Sequence, residues 1–495
     1  MQENILKNKI DQLKVLGVEP YPAIIPQENT SAKEIFENFE NGRKVCLYGR
    51  IMSIRIMGKA AFAEIKDYSG RVQIYITRHV ISINIKKNIN AYNFLFKKLL
   101  DIGDILSIEG FLFKTKVGKI TVYVESFSLL SKSLRTLPQV KTDDKGIVHD
   151  AFFSIEQRYR MRYVDLIVND NVKDIFVKRS KIIQFIRQYL NKFDYIEVET
   201  PILQPIPGGA LARPFITYHN TLNTPIYLRI SNELYLKKLI VGGFKGVYEF
   251  AKDFRNEGID KTHNPEFTLL ELYVAYKDYH WMMNFSEKLI RDLVLALNGK
   301  ETLQFGDKII EFKVPFTRIS IFEAIEKYTG FDISKINEKD LHKICHKLGI
   351  EIQPGKDSKG RIIDEIFRKR CESYYVKPTF IMDYPEEMSP LTRKHREKYG
   401  LTERFEIIIN GQEIANAYSE LNDPIDQVYR FQEQIKLYKK GDKEAMLLDK
   451  DFIQALEFGM PPSAGIGIGI DRLVMLLTKQ TSIQEVIFFP QMRPK

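Results

Sequence analysis

Between Ser463 and Leu476 the chain reads SAGIGIGIDRLVML. Glycine recurs at every second residue, at Gly465, Gly467 and Gly469, with isoleucine between, and Asp471-Arg472 then opens an apolar, helix-like run. Side chains alternate across a strand, so this spacing strips one face bare and packs the isoleucines behind it. Interior glycines weaken a strand, and close approach of a ligand or another backbone is a physical reason for three. The segment is not a phosphate loop, since GxxxxGK[ST] is absent. It is not the dinucleotide fingerprint either, since the glycines stand at i, i+2 and i+4. It predicts a flat floor for a planar ligand, with Arg472 at its edge. Tight helix–strand packing is the simpler alternative.

The elements around it agree with a hairpin-built sheet. FEIIINGQEIANAYSEL carries Asn410-Gly411, a strong two-residue turn signal. Asn416, Tyr418 and Glu420 alternate onto one face of the outgoing strand, and Glu413 has the opposite parity. Glu413 and Glu420 can share a cation only if a bulge or strand end lies between them. Hairpins without regular βαβ alternation predict an α+β fold, an antiparallel sheet flanked by helices, and not a doubly wound nucleotide fold. The more helical, more charged stretch at about 300–400 reads as an insertion.

A second hairpin is predicted in FRNEGIDKTHNPEFTLLE, residues 254 to 271, with a strand to about Glu257, a loop from Gly258 to Asn264 and a strand from Glu266. Arg255 and Glu257 would share a face of the first strand, and Phe267, Glu271 and Tyr273 a face of the second. That places a guanidinium suited to phosphate, an aromatic plate suited to a base and a carboxylate on one surface. Paired surface charges over a core phenylalanine would give the same pattern.

The N-terminal part differs in charge and periodicity. Residues 1 to 145 hold 23 Lys+Arg against 15 Asp+Glu, a net of +8, of the +10 carried by all 495 residues. A basic module on a nearly neutral body suits a polyanion partner. A helical stripe over residues 3 to 17 ends at Gly17, and Pro20, Pro22 and Pro26 follow as an extended connector. From Arg43 to about Leu130 short strands alternate, with the helical piece AYNFLFKKLL between the third and fourth, which suggests an OB-type Greek-key barrel. The charged KTDDKG at 141 to 146 marks a boundary, giving 1–42, 43–145 and 146–495. Three scattered cysteines exclude a disulfide framework and suit a reducing cytoplasm. No apolar run approaches eighteen residues and no signal-peptide core opens the chain, so no membrane association is expected.

Taken together, YIEVETP, FRNEG…HNPEF and GIGIGIDRLVML resemble motifs 1, 2 and 3 of the class II aminoacyl-tRNA synthetases, across essentially the whole chain. IPGGALARPFITYHN, ELYVAY, ANAYSELNDP and the barrel segment RIMGKAAFAEIKD are most similar to the lysyl branch. The resemblance implies ATP-dependent activation of L-lysine as lysyl-adenylate, with Mg2+, and transfer to the 3′ end of tRNA(Lys). It implies a homodimer through motif 1.

By the same resemblance Arg255 and Arg472 are the catalytic residues, with Arg255 on the α-phosphate and the lysine carboxylate. Phe267 and Arg472 would sandwich adenine, and Glu257, His263, Asn264, Glu413 and Gly469 would complete the ATP site. Glu413 and Glu420 would hold the metal. Gly209, Glu233, Glu271, Tyr273, Asn416, Tyr418 and Glu420 would form the lysine pocket. Phe62, Gln73, Glu125, Arg50 and Arg55 would meet the anticodon, by stacking and hydrogen bonding to single-stranded bases. The chemistry agrees, because phosphoryl transfer needs charge neutralisation along the triphosphate more than a general base. A substrate ammonium wants buried carboxylates, whereas an aspartate pocket would need cations.

Two positions depart from the family's pattern. Tyr418 stands where phenylalanine is common, adding a hydroxyl beside the substrate stem, and Asn232 replaces the proline expected before Glu233. An RNA-binding relative that had lost catalysis would lack the arginines or acidic residues retained here. A ligase acting on a protein factor would lack the barrel.

Overall fold

The computed structural model describes residues 2–23, 29–83, 85, 89–138, 141–142, 148–149, 152, 154–352 and 358–494. Residues 143–146 of the charged boundary stretch, and Pro26 of the connector, lie outside the described residues. The chain divides into two compact units, Met1–Phe153 and Ser154–Lys495.

The first unit opens with helix α1 (Gln2–Val15), closed by Gly17 at φ 81°. Its stripe buries Leu13, and Lys9 Nζ lies 2.7 Å from Asp101. Strands β1 (Lys44–Met57), β2 (Ala60–Lys66), β3 (Arg71–Thr77), β4 (Ile81–Ser82), β5 (Ile105–Lys114) and β6 (Ile120–Ser131) follow. They run in the order β3-β2-β1-β5-β6-β4, and a parallel β3–β6 pairing closes the ring. A π-helical turn, Tyr92–Phe96, sits between β4 and β5. Strict alternation in β2 and β3 sends Ile65, Val72, Ile74 and Ile76 inward to a fully apolar core and leaves the other parity half-buried outside.

The second unit is built on an eight-stranded sheet. Helix α2 (Asp170–Asn191) leads to the short β7 (Ile196–Glu197), and α3 (Glu233–Val241) precedes the hairpin β8 (Gly246–Phe254) and β9 (Glu266–Ala275). Helix α4 (Tyr279–Asn298) follows, then β10 (Thr317–Ser320), helices α5 (Ile321–Thr329), α6 (Glu338–Lys347) and α7 (Lys359–Arg370), and β11 (Thr379–Met382). The hairpin β12 (Arg404–Ile409) and β13 (Gln412–Ser419), strand β14 (Ser463–Gly469) and helix α8 (Ile470–Thr478) complete the frame. The order is β10-β11-β12-β13-β14-β9-β8-β7. The six central strands are antiparallel, and only the edge pairs β10–β11 and β8–β7 are parallel. Helices thus occupy the middle of the 300–400 stretch around their own apolar cluster, while strands β10 and β11 on either side of them join the main sheet.

One sheet face packs Leu270, Leu272, Ala415, Ala417, Ile466 and Ile468 against α2, α4 and α8. The opposite parity of the same strands is therefore free to carry polar groups, and that face holds the cavity.

Candidate active site

A cavity of about 620 Å³ opens over β9, β12, β13 and β14. Of the residues expected at the ATP and lysine sites, all but Glu420 line it. The glycine strand lies as expected, with Ile466 and Ile468 in the core. The three glycines do different things. A Cβ on Gly467 or Gly469 would meet only ordinary contacts of 3.7 Å or more, so these two form an open floor. A Cβ on Gly465 would collide with Glu420 Oε1 and the Tyr273 ring, so its bareness makes room for those side chains instead.

At one end stands the β8–β9 hairpin. Strand β8 stops at Phe254, so Arg255 and Glu257 belong to the loop and not to the strand predicted to carry them. The Arg255 amide still donates to Pro265 O at 2.8 Å, which holds the residue beside β9. Its guanidinium lies 5.0 Å over the Phe267 ring, and its buried Nε has no acceptor. Phe267, Glu271 and Tyr273 share a face of β9, as the alternation predicts. Asp260 ties the loop by accepting from the amides of Thr262 and His263. His263 bridges two elements. Its Nδ1 is 2.9 Å from Asp260 and its Nε2 3.1 Å from Arg472 Nη2, contacts satisfied when Nδ1 carries the proton and Nε2 accepts. Asn264 donates to Glu266 O at 2.6 Å and keeps a buried, unpartnered Oδ1.

Arg472, at the start of α8, donates to the backbone oxygen of Glu413 at 3.0 Å and to its carboxylate at 3.2 Å. The register explains how Glu413 reaches the cavity. Ile407 pairs with Ala415 but Ile408 pairs with Glu413, so Ile414 is an extra residue, a β-bulge. The bulge buries Ile414 and Ala415 side by side and turns Glu413 onto the face of Asn416 and Tyr418.

Sharing a face does not let Glu413 and Glu420 share one cation. Seven residues of nearly extended chain separate their α-carbons by roughly 20 Å. The carboxylate near Glu413 is Glu406, its diagonal neighbour across the hairpin, where such pairs lie about 7–8 Å apart. Burial, then the charge of Glu413, pushes the Glu406 carboxyl up to about 8. Glu406 was not anticipated, although counting back from the Asn410-Gly411 turn locates it. That turn forms as predicted, with φ 54° and 71°.

The other end of the cavity is acidic. Ser231 donates to Glu271 Oε1 at 2.8 Å, and Tyr273 donates to Oε2 at 2.9 Å. Burial, then Glu233 and Asp253, raises the Glu271 carboxyl well above the usual range. Tyr418, the departure from the family pattern, uses its hydroxyl to donate to Glu233 Oε1 at 2.6 Å. Asn232 is also employed, donating to Glu249 at 2.8 Å. Gly209 has φ 84° and presses against Ser231 and Glu233, where a side chain would crowd both. Glu420 is 1 % exposed, with its carboxylate packed over Gly465 on the cavity side of the sheet and ion-paired with Lys237.

On the outer face of the barrel, Phe62 and Tyr75 rings lie 4.9 Å apart, Tyr75 and Tyr123 5.7 Å, and Tyr123 and Phe111 4.9 Å and stacked. Arg55 is the cross-strand neighbour of Phe62. Gln73 lies two residues from Tyr75 on the same face, and Glu125 is exposed at a bulge on β6. Arg50 is opposite Lys66, which lies four residues along β2 from Phe62, and donates to Gly103 O at 2.7 Å. Tyr75, Tyr123 and Phe111 were not singled out from the sequence, because their adjacency depends on how the barrel closes.

Residues 154–493 match the family of class II tRNA synthetases for D, K and N, and residues 45–130 match the OB-fold nucleic acid binding domain of the anticodon type. The chain belongs to the class II tRNA synthetases. The synthetase is 57% identical over its whole length to a lysine--tRNA ligase of Christiangramia forsetii, of which it covers 86%. It is 56% identical to one of Porphyromonas gingivalis, again covering 86%, and 55% identical to one of Azobacteroides pseudotrichonymphae, covering 99%. Synthetases of this group use ATP to join an amino acid to tRNA. Among the described residues of this synthetase no helix is long and apolar enough to cross a membrane.

Proposed function

We propose that the chain activates L-lysine with ATP and transfers the lysyl group to the 3′ end of tRNA(Lys). The observation that carries the amino-acid choice is the cluster of Glu233, Glu271 and Glu420 at one end of the cavity, with arginines at the other. Buried carboxylates favour a cationic substrate and reject an acidic one.

In the first step a lysine carboxylate oxygen attacks the α-phosphorus. The bond from that phosphorus to the bridging oxygen breaks, and pyrophosphate leaves with the electron pair. Arg255 meets the α-phosphate and the lysine carboxylate, two anions brought together, and its unpartnered Nε is a donor for them. Adenine stacks between Phe267 and Arg472, with His263 and Asn264 orienting the phosphates and base and Glu257, Glu413 and Gly469 completing the site. Gly209, Tyr273, Asn416 and Tyr418 shape the amino-acid end with the three glutamates. In the second step the terminal ribose hydroxyl attacks the lysyl carbonyl carbon, and AMP leaves.

Magnesium fits Glu406 and Glu413, two carboxylates on one face whose burial and mutual charge raise the Glu406 carboxyl even with Arg404 at 2.7 Å. Among the described residues no cluster of three ligating side chains exists, so phosphate oxygens and water would complete the shell. Bound there, the ion supplies charge neutralisation on the triphosphate. Glu420, packed over Gly465 at the acidic end, is kept for the amino acid.

The barrel reads the anticodon through Phe62, Gln73, Glu125 and Arg55, with Arg50 at the margin. The homodimer forms through the motif 1 region, where Ile196, Ile202, Leu203, Ile216 and Tyr218 are exposed apolar side chains. The site of action is the cytoplasm, in keeping with Cys46, Cys345 and Cys371, which form no disulfide.

The test is exchange of labelled pyrophosphate into ATP with magnesium, comparing lysine, aspartate, asparagine and no amino acid. Exchange with lysine alone is expected. Exchange driven by another amino acid overturns the specificity, and no exchange from folded protein overturns the activity.

A further inference from the structure

The acidic end of the cavity contains its own ammonium. Lys237 lies one helical turn after Glu233 on α3, and its side chain has no solvent exposure. Its Nζ is 2.5 Å from Glu233 Oε1 and in ion-pair contact with Glu420. It lies 5.5 Å from the centre of the Tyr418 ring and 5.9 Å from that of Phe452. Glu233 lines the cavity, but Lys237 and Glu420 sit behind it. A lysine at the mouth of a binding site would compete with a cationic ligand. This one is fully buried behind the cavity wall, touching two of the acids through which the proposed substrate would be held.

Glu233 is held by two groups: the Tyr418 hydroxyl donates to Oε1, and the Lys237 ammonium makes its closest approach to the same oxygen, while the residue lines the cavity. Gly465 makes the arrangement possible from the other side, since any side chain there would collide with the Glu420 carboxylate.

Fixed placement of the acids turns this into specificity. Glu233 and Glu420 come from different elements, α3 and the residue just past β13, and Lys237 is the cation that touches both. A substrate ammonium entering the pocket meets a Glu233 carboxylate already oriented by Lys237 and Tyr418. An amino acid of equal length with no side-chain ammonium would bring no cation to these acids, which is a penalty away from water. Removing Lys237 would leave Glu233 and Glu420 without the cation between them, and Glu233 would lose a partner that fixes its orientation.

We infer that Lys237 is a specificity-determining positioning residue. It is a resident ammonium that holds Glu233 and Glu420 in place so that the cavity accepts an amino acid with a side-chain ammonium. This rests on the lysine reading above and adds a residue that never touches the substrate.

Calorimetric binding of lysine and of norleucine to the full chain, without ATP, tests it on the parent, Lys237→Met and Lys237→Ala. Both variants are expected to bind lysine at least tenfold more weakly, with ATP affinity within twofold of the parent. Methylammonium is expected to restore most of the lysine affinity of Lys237→Ala, by filling the vacated ammonium position, and to do nothing for Lys237→Met, whose stem fills that space. Thermal melts identify any variant that is unfolded, and Lys237→Met, which keeps the stem, provides the second reading. Unchanged lysine affinity in a folded variant overturns the inference. So does a loss that affects ATP equally and that methylammonium leaves untouched, since that is the mark of a purely structural ion pair. A parent that binds norleucine as well as lysine overturns the role in specificity. Failure of the parent to bind lysine overturns the proposed substrate instead, and is seen before any variant is made.

Discussion

On the outside of the barrel, Phe62, Tyr75, Tyr123 and Phe111 lie ring to ring across four strands, each half-buried. In the cavity, Phe267 is overlain by the Arg255 guanidinium and set among carboxylates and arginines. Both surfaces suit flat bases, yet they make different demands. The row of rings offers interchangeable, additive stacking, so loss of one ring weakens binding without abolishing it. In the cavity the charges are buried and mutually dependent, so removing one strands another. A surface that reads can be degraded gradually, whereas a site that performs chemistry fails abruptly.

The sharpest way to break that contrast is Arg255→Ala. Pyrophosphate exchange is expected to fall by about 10³-fold, the scale for losing a preorganised donor at a developing charge, while tRNA affinity is preserved. Gly465→Ala comes next. The added methyl displaces Glu420 and Tyr273, and KM for lysine should rise on the order of 10- to 100-fold with KM for ATP unchanged, since misplacement of about 1 Å carries that cost. Equal changes in both constants would show that the floor serves the two substrates together.

Asp253→Asn probes the cost of buried charge directly. Burial, offset in part by Arg229 and Arg255, holds the Asp253 carboxyl at about 6. The folded pKa lies above the unfolded one, so its stabilising contribution is complete below about pH 4 and is lost as pH rises through 6. The variant should therefore gain stability relative to the parent between pH 5 and 8, by about 1.4 kcal/mol, as read by denaturant melts at the two pH values.

Tyr75→Ala should raise KM for tRNA roughly tenfold, within the 1–3 kcal/mol of a stacked base, and leave pyrophosphate exchange untouched. Arg50→Ala is the smallest effect expected. With its guanidinium given to Gly103 O, tRNA affinity should hold within twofold while the barrel loses about 1 kcal/mol of stability. A large loss of tRNA affinity would return Arg50 to the reading face.

Faces and motifs were legible in the sequence because alternation is a local signal. Phe267, Glu271 and Tyr273 needed only a period of two, and the Asn410-Gly411 turn only its positive φ angles. What was not legible depends on register. Ile414 is an ordinary strand residue, and nothing local announces a bulge there, so the parity of Glu413 misled and Glu406 went unnoticed. The end of β8 at Phe254 is set by the loop anchored on Pro265 and Asp260. Lys237 could have been found from ELYLK, where Glu233 and Lys237 share a helix face, but its contact with Glu420 requires the sheet. The aromatic row needed the β3–β6 closure, a contact between residues about fifty apart in the chain.

Ile414 acts as a phase shifter within β13. Deleting it would restore strict alternation and leave Glu413 where it is, opposite Ile408 and two places from Asn416, on the cavity wall. Losing any other single residue between the turn and Asn416 would keep the register the same only by absorbing the bulge. The strand thus carries one residue of slack between its turn and its acidic wall, and the cost of removing that residue falls on the apolar core, where Ile414 is buried, and not on the cavity.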